Sequence, residues 1–184
     1  AGTLVFNSTN VYAGGTVLGG GAVSLNTTLA GNGGLGSGTV TITNNARLAL
    51  YSSDGNDPGD SNASTFPNNL VVPGGAAATI WHSARGALTG SLTGSGTLNF
   101  RVNYWRGNIA GNWSSFSGQV NVVARDTDDD WRFNYGNAGM PLASVSLSNS
   151  VSFYLYNHFY DNCSFPIGTL SGAAGSVISS GSDV

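Results

Sequence analysis

Two runs of Asp are the first places where this sequence could do chemistry. RDTDDDWRF sets Asp126, Asp128, Asp129 and Asp130 between Arg125 and Arg132, and SSDGNDPGDSN gathers Asp54, Asn56, Asp57, Asp60 and Asn62. Glycoside hydrolysis needs two carboxyl groups about 5–10 Å apart across the scissile bond, one of them protonated. Consecutive acids in a strand point to opposite faces, and in a loop they are simply hydrated. No second outward Asp stands in the aligned strands, so a non-catalytic reading is preferred over an Asp-dependent lyase or hydrolase. The second run could surround calcium, which takes about six to eight oxygen ligands. Asp, Asn, Gly and Pro are also the ordinary residues of turns, the spacing departs from the EF-hand loop, and no closing Glu follows. A solvated turn is the expectation there, calcium the alternative, and no cofactor is expected.

Other chemistries are closed by residue type. All nine acids are Asp and all six basic residues are Arg. Without Glu or Lys there is no glutamate acid/base pair, no Schiff-base lysine and no phosphate-loop lysine. Cys163 stands alone and can form no internal disulfide; with His82 and His158 it is the only Cys/His material, too little for a transition-metal site. His158 and Asp161, flanking Phe159 and Tyr160, read as a loop edge that touches a ligand. A net charge of -3 with so few Arg argues against nucleic acid, which demands clustered positive charge.

A second set of residues is suited to binding. Tyr51, Trp81, Tyr154 and Tyr156, with Arg101, Asn103, Trp105, Arg132 and Asn134, are expected to face outward on short strands. Aromatic faces cover the C–H patches of sugar rings, Arg and Asn donate to hydroxyls, and planar side chains lose little rotamer freedom on ordering. The competing reading is that exposed aromatics only pack against cross-strand neighbours and that Asn decorates turns. Trp113 and Phe116, in GNWSSFSG, read instead as corner packing.

The elements that must position these residues are visible as a repeat. TVTITNNARLALYSS from Thr39, NLVVPGGAAATIWHS from Asn69 and SVSLSNSVSFYLYNH from Ser144 superpose without gaps, each with two alternating strands around a polar turn. Val40, Ile42, Leu48 and Leu50 match Leu70, Val72, Ala78 and Ile80, and then Val145, Leu147, Phe153 and Leu155; these point inward. Ala49, Tyr51, Thr79, Trp81, Tyr154 and Tyr156 point outward, and Tyr51, Trp81 and Tyr156 share one register. In LNFRVNYW the same alternation sends Phe100 and Val102 inward. Gly/Ser-rich stretches such as LAGNGGLGSGTV and LTGSLTGSGTLNF lie between the copies, and 28 Gly residues suit a strand ladder that turns sharply every few residues. Repeats of this length stack into a shared core. The fold expected is all-β: a right-handed parallel β-helix over residues 1–184 as one domain. An antiparallel β-sandwich is the alternative, disfavoured by the shared register and by the scarcity of tight hairpin dipeptides, Asn32-Gly33 being the exception.

Hydrophobic residues make up 40% and charged residues 8%. The first is enough for a buried core, and the second lies far below the usual ~25%. No apolar run of about 18 residues and no charged-then-apolar leader is present, so no membrane span or signal peptide is expected in the chain as given. Its end at Ser182-Asp183-Val184, inside another Gly/Ser corner, suggests a module excised from a longer solenoid, with an attached catalytic domain as one arrangement. The Ser/Thr/Asn/Gly surface suggests a secreted or cell-surface protein.

LVFNSTNVYAGGTVLGGGAVSL, Leu4 to Leu25, resembles the passenger-associated repeat of bacterial autotransporters through Asn10, Tyr12, Gly14, Gly15 and Thr16. GSGTLNFRVNYWRGNIAGNWSSFSGQVNVV, Gly94 to Val123, is similar to stretches of β-helical proteins secreted by polysaccharide-degrading bacteria. The whole looks like the β-helical carbohydrate-binding modules attached to plant-polysaccharide hydrolases, including a xylan-binding kind. This resemblance implies the fold. It also implies the ligand expected: an extended, neutral plant-cell-wall polysaccharide such as xylan. A structural or adhesive passenger segment is the second reading.

Overall fold

A computed structural model describes residues 2–6, 8–26, 34–51, 65–83, 87–102, 106–125, 130–133, 138–148, 151–155 and 164–179. Its largest sheet stacks eight strands in the order β1 (Thr3–Phe6), β3 (Ala22–Asn26), β5 (Ala46–Tyr51), β7 (Ala77–Ser83), β10 (Thr97–Val102), β12 (Gln119–Ala124), β14 (Met140–Ser148) and β16 (Ile167–Gly172). A second face stacks β2 (Thr16–Leu18), β4 (Val40–Ile42), β6 (Leu70–Val72) and β9 (Leu92–Gly94). A third runs β8 (Ala87–Leu88), β11 (Arg106–Ile109), β13 (Asp130–Phe133), β15 (Ser152–Leu155) and β17 (Val177–Ser179).

Every pairing among these strands is parallel, and sequence neighbours lie on different faces. That is a coil rather than a set of hairpins, so the chain is a parallel β-solenoid and the sandwich is excluded. Among the described residues there is no helix, hence none long and apolar enough to cross a membrane.

Alternation explains the core. Val40, Ile42, Leu48, Leu50, Leu70, Val72, Ala78, Ile80, Phe100, Val102, Val145, Leu147 and Phe153 are all buried, and Leu155 packs partly buried against them. Trp113 and Phe116 are fully enclosed, as expected of corner packing. Successive rungs place Leu48 on Ile80, Ile80 on Phe100 and Phe100 on Val122, so each strand buries an apolar side that it could not cover alone.

Corners are closed by residues that accept unusual backbone angles. Asn44 and Asn45 both take positive φ, 52° and 58°, between Thr43 and Ala46, and the Ala46 amide donates to the Thr43 carbonyl at 2.9 Å. Asn tolerates this region better than most non-Gly residues. Asn68 ties rungs together from inside. It is 3% exposed, and its Nδ2 donates to the carbonyls of Gly38 at 2.8 Å and Gly36 at 3.0 Å. Asn68→Ala should therefore cost about 2 kcal/mol in thermal or denaturant unfolding, since it leaves enclosed carbonyls without donors. In the first coil, Asn10 Nδ2 donates to the Gly34 carbonyl and the Tyr12 hydroxyl lies 2.8 Å from that of Thr16.

Two register expectations need correction. The copies from Thr39 and Asn69 occupy the second and first faces, as β4–β5 and β6–β7, whereas the copy from Ser144 occupies the first and third, as β14–β15. Two alternating strands around a turn look alike on any adjacent pair of faces, so alternation carries no record of which face the coil has reached. Within the first two copies, Val40 pairs with Leu70 but Leu48 pairs with Ile80, so the PGGAA corner is two residues longer than the TNN corner. A slip of two preserves which side each residue faces while moving it along the strand. The inward set therefore holds, but Trp81 pairs with Ala49, and Tyr51 with Ser83.

Candidate site on the outer face of the eight-stranded sheet

Trp81 is the centre of the outward residues that can be described. Ala49 and Arg101 are its neighbours on β5 and β10. One step back along the strands runs a second outward row: Arg47, Thr79, Asn99, Asn121 and Ser146. The Arg47 guanidinium carbon lies 4.0 Å from the centre of the indole and that of Arg101 lies 5.2 Å away. Both distances are within the range in which a ring quadrupole attracts a cation. Ala49 points away from the core yet is 1% exposed. A side chain that small beside Trp81 leaves room for the indole to lie over the sheet.

Beside this cluster runs an open groove of about 590 Å³, lined by Gly21, Asn44, Asn45, Arg47, Thr79 and Trp81 among others. The positive-φ Asn pair that closes the β4–β5 corner forms part of its wall. The polar row continues away from the groove. Asn121 Nδ2 donates to Asn99 Oδ1 at 2.9 Å, and Gln119 Nε2 to Asn121 Oδ1 at 3.0 Å, which fixes the amides in orientation. A half-buried aromatic, two guanidinium groups and a file of amides and hydroxyls together can cover an apolar patch and satisfy several polar groups of one elongated ligand.

The expected site residues divide. Trp81 and Arg101 come together as adjacent partners. Tyr51 lies on the same sheet, its backbone between Asn26 and Ser83, with its side chain outside the described set. Tyr154 is on the third face, paired with Arg132 of β13. Trp81 and Tyr154 therefore do not form one column. Asn103, Trp105, Asn134 and Tyr156 lie outside the described residues.

Arg132 is a correction of another kind. It points away from the core, but it is 4% exposed and held by Asp130, with Nε donating to Oδ1 at 2.5 Å and Nη2 to Oδ2 at 2.7 Å. Its guanidinium also lies 5.5 Å from the Tyr154 ring centre. Both charged atoms of a buried pair are committed to each other, so Arg132 is built in as structure. Asp130 is committed in the same bond; Asp126, Asp128 and Asp129, and the Asp54–Asn62 run, lie outside the described residues. Among the described residues, no three His, Cys, Asp or Glu side chains converge.

Arg47, Asn99 and Asn121 belong to this outward cluster but are absent from the outward set expected above. The signal was present: Arg47 has the same parity as Ala49, and Asn99 the same parity as Arg101. Compared with known proteins, the chain matches no family model, no curated protein and no solved structure.

Proposed function

We propose that the outer face of the eight-stranded sheet binds an extended polysaccharide of the plant-cell-wall kind, xylan-like in its backbone, without cleaving it. The protein would act as a binding module at or outside the cell surface. The observation that carries this reading is Trp81 held between Arg47 and Arg101, with a file of Thr79, Asn99, Asn121 and Ser146 beside it. An indole supplies the apolar contact for a sugar ring, and amides and hydroxyls spaced at strand intervals of roughly 4.8 Å supply partners for successive hydroxyls. The Ser/Thr/Asn/Gly-rich surface and the resemblance to β-helical carbohydrate-binding modules support the same ligand class.

Affinity electrophoresis against soluble xylan, β-glucan and pectin, with a parallel assay for newly released ends, tests the proposal. Retarded migration without new ends is the expected result. Migration unchanged by every glycan would favour a structural or adhesive solenoid, and new reducing or unsaturated ends would identify a lyase or hydrolase. Trp81→Ala should weaken glycan binding about tenfold or more, since central aromatics dominate such contacts. Its thermal midpoint should fall by only a few degrees, because the side chain is half-buried outside the core.

A further inference from the structure

We infer that Arg47 and Arg101 are an oxyanion-binding pair and that the ligand carries uronic-acid carboxylates, in place of the neutral chain expected above. This rests on the polysaccharide reading and specifies its substrate class. Cations are scarce in this protein: six Arg stand against nine Asp, for a net charge of -3. Two of the six flank one indole on the outer face. A generally anionic chain would repel an acidic glycan, so local cations have to supply the attraction: Arg47 lines the groove and Arg101 stands next to Trp81 at its edge.

The contrast with Arg132 is informative. That guanidinium is closed off in a two-handed bond to Asp130. Arg47 and Arg101 have no carboxylate partner among the described residues. The Nε of each is enclosed and carries no hydrogen bond. The outer Nη edge is what each guanidinium has left to offer, and Trp81 stands against both, its ring centre 4.0 Å from the Arg47 guanidinium carbon and 5.2 Å from that of Arg101, which narrows the space in which each group can move. A planar fork confined in this way matches a carboxylate with two parallel N–H donors and loses little freedom on binding. A neutral chain laid across Trp81 and its two arginine neighbours would strip water from cations and return no charge to them. Asn44, Asn45 and Thr79 line the same groove and can take the hydroxyls of the acidic residue or its neighbour. Phosphodiester chains are the poorer fit, because a pair of Arg is far from the extended basic track that they require.

The test compares four probes with the unmodified protein by titration: an oligogalacturonide, its fully methyl-esterified form, a sulfated galactan and a neutral xylo-oligosaccharide. The acid should bind about tenfold tighter than the ester at low salt, a charge-assisted difference that shrinks as salt is added. Arg47→Gln and Arg101→Gln, with thermal midpoints recorded for each, should bring the acid-to-ester affinity ratio down to about one, with acid binding losing far more than ester binding. Equal affinity for acid and ester in the unmodified protein would overturn the inference without any variant. Sulfated galactan binding as tightly as the uronide would overturn the carboxylate assignment. Xylo-oligosaccharide binding with no preference for acid would remove the uronate and leave the polysaccharide reading standing. Failure of all four probes, repeated with the soluble polysaccharides, would remove both.

Discussion

Gly111→Ala is expected to cost about 3 kcal/mol and to lower the thermal midpoint by roughly 10 °C. A Cβ at this position would lie 1.9 Å from the Gly90 carbonyl oxygen and 2.8 Å from that of Thr89. Gly90 is itself seated on Asn68, where a Cβ would meet the carbonyl oxygen at 2.0 Å. The neighbours are backbone, so no side chain can swing aside. The only relief is to separate the rungs, which stretches the Gly111 amide's 2.9 Å bond to the Leu88 carbonyl and the Ala110 bond to the same acceptor. Because a solenoid's stability is a sum over neighbouring rungs, damage should appear as lost amide exchange protection around β8 and β11 before the rest of the coil. Gly14→Ala is the control. Nothing lies within 4 Å of its Cβ, and its midpoint should move by no more than about 0.5 kcal/mol equivalent. Similar losses in the two variants would mean that the rungs yield more easily than their spacing implies.

Trp131→Ala should be costlier, about 4 kcal/mol. Trp131 is fully buried in a cluster of rings that links four rungs. Its ring centre lies 4.8 Å from Phe133, 5.2 Å from Phe153 and 6.1 Å from Phe100, and Phe133 continues the contacts to Trp113 and Phe165. Removing the indole opens a cavity that strands of fixed spacing cannot close. Trp131→Phe separates packing from polarity. The indole Nε1 is buried with no hydrogen-bond partner, so a benzyl side chain gives up volume while removing an unsatisfied donor. Its cost should be about 1 kcal/mol in denaturant unfolding. If the Phe variant lost as much as the Ala variant, the indole N–H would have to be bonded rather than bare.

The fold was legible because a parallel coil writes its rules in a period of two. Leu48, Ile80 and Phe100 announce their side of the sheet by alternation alone, and Gly and Asn announce the corners. The face was not legible at Ser144, since the length of chain consumed in each coil varies and nothing in two alternating strands counts it. Of the site, Trp81 and Arg101 were readable because parity and adjacency in the stack coincide. Arg132 shows the limit. Parity says that it points away from the core, but whether an outward side chain meets water or a neighbouring carboxylate depends on Asp130 two residues earlier and on what lies over the sheet. Arg47 enters the site only through the two-residue slip between β5 and β7.

That slip gives the corners a role in evolvability. Had PGGAA been as short as TNN, Trp81 would sit beside Tyr51, farther along the sheet from Arg47, and the contact between the Arg47 guanidinium and the indole would be lost. An insertion of two residues at a corner slides a strand along its neighbours and reshuffles which outward side chains meet, while every core residue stays inward. An insertion of one turns the strand inside out. New ligand contacts on such a scaffold are therefore reachable in even-numbered steps of corner length, with the buried residues left untouched.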